Sequence, residues 1–248
     1  IRISFIFVSI LSLGLLPSVI AQQEKPKGQP AQSKKIATAS VRASAAAGAL
    51  RYIMRSSTPI PQYILNGAHS IAVISSYKDF GEFPNNEHGA GVVSARDPQT
   101  GKWSAPIFLL LKGGHIEQLL EDARIEDYFK TKDCVLFLLG MNRRTTELFL
   151  ADELELGADV LVLPGSFGSV ARPGTEVPAI NVGFLAYVLT GEQVEGVSVA
   201  ASSIRQDKEL NDAVYEEKKL TSFIPTSDFI PGQVLLYPQE LTRLQKAD

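Results

Sequence analysis

The chain has 248 residues, 45% of them hydrophobic, and its 24 Lys and Arg against 27 Asp and Glu give a formal net charge of −3. A chain of this length can bury one substantial hydrophobic core, and its single cysteine, Cys134, excludes an intrachain disulfide. The near-neutral charge and the lack of a recognised binding motif argue against a nucleic-acid-binding protein.

Residues 1–21 have the pattern of a secretory signal peptide. Arg2 precedes an apolar segment from Ile3 to Leu16, and Val19-Ile20-Ala21 has the side chains typical of a cleavage site. The apolar segment is too short to cross a hydrocarbon layer of about 30 Å, which favours cleavage over retention as an anchor. We therefore expect an exported protein, periplasmic or secreted, that is peripheral on a membrane.

The next segment, residues 22–32, is rich in Gln, Lys, Pro and Gly and is predicted to be a disordered linker. Residues 33–55 then predict an amphipathic helix. Its apolar stripe at helical spacing consists of Ile36, Ala39, Ala43, Ala46, Ala47, Leu50, Ile53 and Met54. Such a stripe is compatible with packing against the domain's own sheet or with lying in a membrane interface.

The charge along the chain is strongly polarised. No acidic residue lies between Glu24 and Asp79, whereas residues 115–160 contain 11 acids and five bases. Each Lys or Arg near an anionic membrane contributes about 1 kcal/mol, so residues 33–55 are expected to make the main contact with such a membrane. A solvated helix face is the alternative. The bases expected to contact lipid are Lys34, Lys35, Arg42, Arg51 and Arg55.

Residues 89–108 predict a β-hairpin. Asp97-Pro98 begins the turn, Gly101 supplies a position that can take positive φ, and apolar strand-forming residues lie on both sides.

The hairpin tip carries Arg96, Lys102 and the only tryptophan of the chain, Trp103. An amphipathic ring beside two cations suits a charged interface, so all three are candidate lipid contacts. A half-buried Trp103 that anchors one face of the sheet is the alternative.

The remaining pattern predicts an α+β domain. Strands are expected over residues 70–74, 135–139, 156–163, 179–190 and 196–203, and helices over 63–68, 115–132, 145–151 and within 204–217. Consecutive hairpins favour antiparallel pairing. The predicted fold is a mostly antiparallel, curved or barrel-like sheet with flanking helices and an N-terminal amphipathic helix.

One loop has a composition that suits an anion. From Pro164 to Gly174 the glycines are closely spaced, so backbone N–H groups can converge, and Arg172 can pair with a phosphate. A plain turn between strands is the alternative.

Four segments in order resemble the SYLF family. They are Ile60 to Ile74, the hairpin with its Trp-Ser-Ala-Pro, Gly157 to Val160 followed by Pro164 to Gly168, and Ala186 to Tyr215, which together span about residues 33–217. The family pattern is lost over 113–131. The resemblance implies a module that binds phosphatidylinositol lipids or other anionic phospholipids and, in fungal members, actin. Actin is not an expected partner for an exported member.

These patterns divide the chain into a signal peptide (1–21), a linker (22–32), a SYLF-like lipid-binding domain (33–220) and an extended C-terminal arm with a short helix (221–248). The expected function is non-enzymatic lipid binding in the cell envelope or secreted space, with an anionic phospholipid or membrane surface as partner. The alternative is a protein-interaction domain of the envelope that binds no lipid.

A secreted hydrolase is a third interpretation. Ser104 or Ser166 could act with one of the three histidines and with Asp97 or Asp159, but nothing in their spacing supports this. Cys134 lies in an apolar run, which predicts a buried side chain and not a nucleophile. The three histidines lack helical spacing, so we expect no metal site. No cofactor and no catalytic residue is expected either.

Overall fold

The computed structural model describes residues 29–76, 87–117, 122–124, 134–165, 183–191 and 193–245. The predicted signal peptide and Arg172 lie outside these ranges. Within them the helices are α1 (Gln29–Ile53), α2 (Gln62–Gly67), α3 (Arg143–Leu148), α4 (Lys208–Tyr215) and α5 (Leu236–Gln245). Helix α1 begins within the segment that was predicted to be a linker.

The described strands form one sheet. They are β1 (Ser70–Ser76), β2 (Glu87–Ala95), β3 (Ile107–Glu117), β4 (Asp122–Arg124), β5 (Cys134–Gly140), β6 (Leu154–Leu156), β7 (Val162–Pro164), β8 (Phe184–Thr190), β9 (Gln193–Gly196) and β10 (Ser198–Gln206). Neighbours follow the order β6-β10-β3-β2-β1-β5-β8-β7, with β4 on β3 and β9 on β8. Pairing is antiparallel except between β7 and β8, and β7 also contacts β10. The sheet is thus a nearly closed barrel, which confirms the predicted fold class.

Alternating side chains give each face of the sheet its own core. Along β1, Ile71 and Val73 pack with the helices, whereas Ala72 and Ile74 join the cluster on the opposite face. This is the two-residue period of a strand that is buried on both sides. Cys134 belongs to the second cluster and is 1% exposed, which confirms its prediction as a buried hydrophobic residue.

Helix α1 covers the first of these faces. Ala39, Ala43, Leu50 and Ile53 are each fully buried, and the helix contacts β1, β2, α4 and α5. Because alanine side chains are short, the helix backbone can lie close to the sheet. The apolar stripe is therefore part of the domain core, and the prediction that it lies in a membrane interface is wrong.

Strand β3 continues where a helix was predicted. Gly113 does not end the strand, because it adopts φ 64° while Ala201, beside its partner Ser202 on β10, adopts φ 54°. This local irregularity resembles a β-bulge and leaves the pairing intact up to Glu117. The predicted helix over 115–132 is therefore wrong at residues 115–117 and 122–124, which belong to β3 and β4.

A second difference concerns the strand that was predicted over 156–163. Gly157 adopts φ 90° and donates its N–H to the carbonyl of Val160 at 2.9 Å. This turn divides the segment into β6 and β7, so the prediction of one continuous strand is wrong. In contrast, Gly101 in the predicted hairpin has φ 70°, which confirms that turn.

The segment after α4 packs back onto the barrel. Ile224 accepts the N–H of Ala105 at 2.8 Å, and Ile230 and Val234 are buried. On α5, Tyr237 is fully buried and donates its hydroxyl to the carbonyl of Ile71 at 2.8 Å. These contacts hold α5 beside α1, and the surface of α5 is where the candidate site lies.

Candidate functional site

The basic residues predicted on α1 occupy separate places. Lys34 is exposed near the start of the helix, and Lys35 pairs with Glu209 of α4 at 3.0 Å. Arg51 lies at the other end, beside α5. At a rise of about 1.5 Å per residue, about 26 Å separates Lys34 from Arg51 along the helix. The predicted bases therefore do not form one continuous patch.

Arg42 is an internal residue with a structural role. Its side chain is 2% exposed and lies 2.9 Å from Oδ2 of Asp207, and it also donates to the carbonyl of Leu109 at 3.4 Å. Asp207 in turn caps α4, accepting the N–H of Leu210 at 3.2 Å. Arg42 thus joins α1 to β3 and α4, and its prediction as a lipid contact is wrong because no surface is available to it.

Trp103 is also internal. It is 3% exposed, and its Nε1 donates to Oε1 of Gln245 at 2.9 Å. The ring therefore anchors the hairpin to the end of α5, and its burial excludes direct contact of Trp103 with lipid. The alternative interpretation expected an anchoring tryptophan, but a half-buried one on a face of the sheet. Lys102 beside it is exposed, and Arg96 is partly exposed.

A charged cluster connects α1 to α5. Glu240 is 5% exposed, and its Oε2 lies 2.9 Å from Nη2 of Arg51. Arg243 donates its Nε to Oε1 of Glu240 at 3.1 Å. Burial tends to raise the pKa of Glu240, but the hydrogen bonds from Arg243 and Arg51 outweigh it and hold the pKa below its usual value.

This cluster has an excess of positive charge. Two guanidinium groups share one carboxylate, and both remain about half exposed, at 47% for Arg51 and 54% for Arg243. Arg55, in the turn that ends α1, is exposed as well. The charge that faces solvent is therefore cationic.

Helical spacing places Leu236 and Arg243 on one exposed side of α5, and Gln239 lies between them. Glu240 and Arg51 are at one margin of this side, and Lys102 is at the other, across a cavity that is also lined by Thr242. We define this surface, with Arg51, Arg55, Lys102, Leu236 and Arg243, as the α5 face. It combines cations with the exposed apolar side chain of Leu236, an arrangement that suits a water–lipid interface.

The sequence interpretation missed Arg243, Glu240 and Phe229, a side chain 98% exposed in the loop before α5. The only local signal was the spacing of Glu240 and Arg243, three residues apart on a helix. The predicted anion loop lies outside the described residues from Ser166 onward, and so does its Arg172.

The candidate catalytic residues serve local structure. Ser104 is buried, accepts the N–H of Ala95 at 3.0 Å and donates to the carbonyl of Ala105 at 2.9 Å. Asp97 accepts two backbone N–H groups of its own turn, and Asp159 accepts that of Glu155. Ser166 lies outside the described residues. These bonds give Ser104 no base to activate it.

His69 is the candidate base whose surroundings are best defined. Burial, and then the charge of Arg96, lower its pKa below the usual value. Among the described side chains, no three metal-binding residues come together. No helix in the described ranges is both long and apolar enough to cross a bilayer.

The C-terminal part of the chain matches a known protein family. Residues 129–247 match the model of the Ysc84 family, described as Las17-binding protein actin regulator. No curated protein matches the chain. The match includes α5 with Glu240 and Arg243, and the family is one of binding modules known for lipid and actin binding. Residues 129–247 are therefore similar to the Ysc84 family, also called SYLF, which is the family that the sequence motifs predicted.

Proposed function

We propose that this protein is a non-enzymatic module that binds anionic phospholipid surfaces through the α5 face, after export to the cell envelope or secreted space. The observation that carries the proposal is the sharing of one buried carboxylate, Glu240, by Arg51 and Arg243, with both arginines still half exposed. The lipid association of the SYLF family supports it.

The electrostatic free energy that the arginines contribute sets the affinity that they can give on their own. Arg51, Arg55 and Arg243 with the shared Glu240 carry two net positive charges, which contribute about 2 kcal/mol near an anionic surface at about 1 kcal/mol per charge. This free energy alone corresponds to a dissociation constant above about 1 mM. Apolar contacts must therefore add to the charge, and exposed Leu236, at 42%, is one source of them.

Arg55→Glu tests this proposal, because Arg55 is exposed and lies outside the Glu240 cluster. Reversing Arg51 instead would place a second carboxylate beside buried Glu240 and risk unfolding. Lys34→Glu is the matched control, since it makes the same change in net charge at the other end of α1.

The measurement is flotation with vesicles of phosphatidylglycerol and phosphatidylcholine in 0.1 M salt. We expect Arg55→Glu to weaken binding about 30-fold, from a change of two charges at about 1 kcal/mol each. Lys34→Glu should stay within about twofold of the parent. Equal effects of the two variants would show that net charge, and not the α5 face, governs binding.

A protein partner is the second candidate, favoured by the description of the matching family as an actin regulator. Co-sedimentation with purified actin filaments separates the two. We expect the protein to remain in the supernatant with filaments and to float with anionic vesicles. Sedimentation with filaments and no flotation would replace the lipid proposal with an actin-binding one.

A further inference from the structure

Phe229 is displayed at the tip of a tight turn. The N–H of Ile230 donates to the carbonyl of Ser227 at 3.2 Å, so Asp228 and Phe229 occupy the two central positions. Ile230 is 7% exposed and holds the turn in the core, while the Phe229 side chain is 98% exposed. The turn is therefore anchored with its aromatic ring directed into solvent.

A cavity of about 360 Å³ lies beside this turn. Its lining includes one cation, one carboxylate and three hydroxyl groups, from Lys102, Asp228, Thr226, Ser227 and Thr242. This set matches a ligand that carries both a negative and a positive group, because Lys102 can pair with the first and Asp228 with the second.

We propose that this cavity binds the zwitterionic head group of phosphatidylethanolamine in a membrane, with Phe229 inserted among the acyl chains. This inference rests on the proposed membrane binding and adds a second lipid to it. Lys102 and the hydroxyl groups of Thr226 and Ser227 hold the phosphate, and Asp228 accepts N–H bonds from the primary ammonium. The Thr242 hydroxyl donates to the carbonyl of Pro238 at 2.9 Å, so it can only accept from the ammonium. A head group that carries only a negative charge would leave Asp228 facing an anion.

The position of Phe229 favours a lipid over a free phosphate ester. Its ring is exposed and does not line the cavity, so it can contact the acyl chains, which leave the bound head group from the phosphate end held by Lys102. Leu236, 42% exposed in the first turn of α5, adds apolar surface on the same side of the helix as Arg243. The head-group cavity and the arginine cluster therefore flank one membrane-facing helix.

Phe229→Ser tests the insertion, with Leu161→Ser as its control because Leu161 is also an exposed apolar residue, at 57%, on a different part of the barrel. Loss of a buried phenyl ring should weaken binding to neutral vesicles of phosphatidylethanolamine and phosphatidylcholine at least about tenfold. Leu161→Ser should bind like the parent, and Phe229→Leu should recover most of the affinity. Unfolding midpoints confirm that each variant is folded.

Asp228→Asn tests the head group. It should weaken binding to vesicles that contain phosphatidylethanolamine about tenfold more than binding to vesicles of phosphatidylglycerol and phosphatidylcholine. Trp103 lines the cavity and is the only tryptophan, so its fluorescence reports occupancy. Soluble phosphoethanolamine should change that fluorescence only weakly, since it lacks acyl chains. Saturation at a similar concentration to the lipid would show a site for the free ester instead.

The outcomes separate this inference from the proposed function. If Arg55→Glu weakens anionic binding but Phe229→Ser behaves like Leu161→Ser, the arginine surface stands and the insertion is overturned. If Asp228→Asn affects both vesicle types equally, the zwitterionic assignment is overturned. Failure of the parent protein to bind any vesicle overturns both proposals.

Discussion

The buried ion pair between Arg42 and Asp207 allows the sharpest test of how α1 is held. Arg42→Ala removes a side chain that is 2% exposed, together with its contact of 2.9 Å to Asp207. The Asp207 side chain, 10% exposed, then stays buried without its cationic partner. Removing one member of a buried pair costs about 3–5 kcal/mol, mostly for the charge that is left behind.

A second ion pair on the same helix is the matched control. Lys35 and Glu209 also join α1 to α4, but their side chains are 43% and 76% exposed. Water already solvates this pair, so Lys35→Ala should cost at most about 0.5 kcal/mol. The two variants differ mainly in the burial of the charge.

The assay is urea unfolding followed by circular dichroism. The free energies of unfolding are compared with the same m value, the slope of the free energy against urea concentration. In thermal unfolding, a loss of about 4 kcal/mol corresponds to about 8–16 °C for a domain of this size. A loss below about 1 kcal/mol for Arg42→Ala would refute the argument that this pair locks α1 to the barrel. So would equal losses for both variants.

Stability should also depend on the protonation of Glu240 and on the packing around two glycines. The pKa of Glu240 lies below its usual value of 4.5 in the folded state, so protonation favours unfolding; its stabilisation is present above about pH 4.5 and is lost as the pH falls through the lowered pKa. Urea midpoints measured from pH 6 to pH 3 should fall less steeply for Glu240→Gln than for the parent, and parallel slopes would contradict this. Gly91→Ala should destabilise by about 2 kcal/mol or more, because an added Cβ would lie 2.2 Å from the backbone oxygen of Val73. Gly48→Ala should stabilise α1 by about 0.5–1 kcal/mol, because no atom lies within 4 Å of its added Cβ. A lower free energy of unfolding for Gly48→Ala would contradict this prediction.

Local patterns in the sequence determined the elements of this fold. Apolar spacing placed the stripe of α1, and Gly101 with Asp97-Pro98 placed the hairpin turn. These features depend on residues a few positions apart, where helix and strand periods and turn chemistry act directly. The same local rules failed after Gly113, where they predicted a helix over 115–132, because a glycine that ends a strand and one that permits a bulge have the same sequence signal.

The partner of each element was decided by tertiary structure. The stripe of α1 shows that one helix face is apolar, but not whether a sheet or a bilayer covers it. Arg42 meets Asp207 across 165 positions of sequence, and Arg51 meets Glu240 across 189. No local period encodes such pairs, since they arise only when the barrel brings α4 and α5 against α1. For this reason the sequence could name Arg42, Arg51 and Arg55 as cations, whereas only the fold separated the internal Arg42 from the surface-facing Arg51 and Arg55 and brought Arg243 beside Arg51.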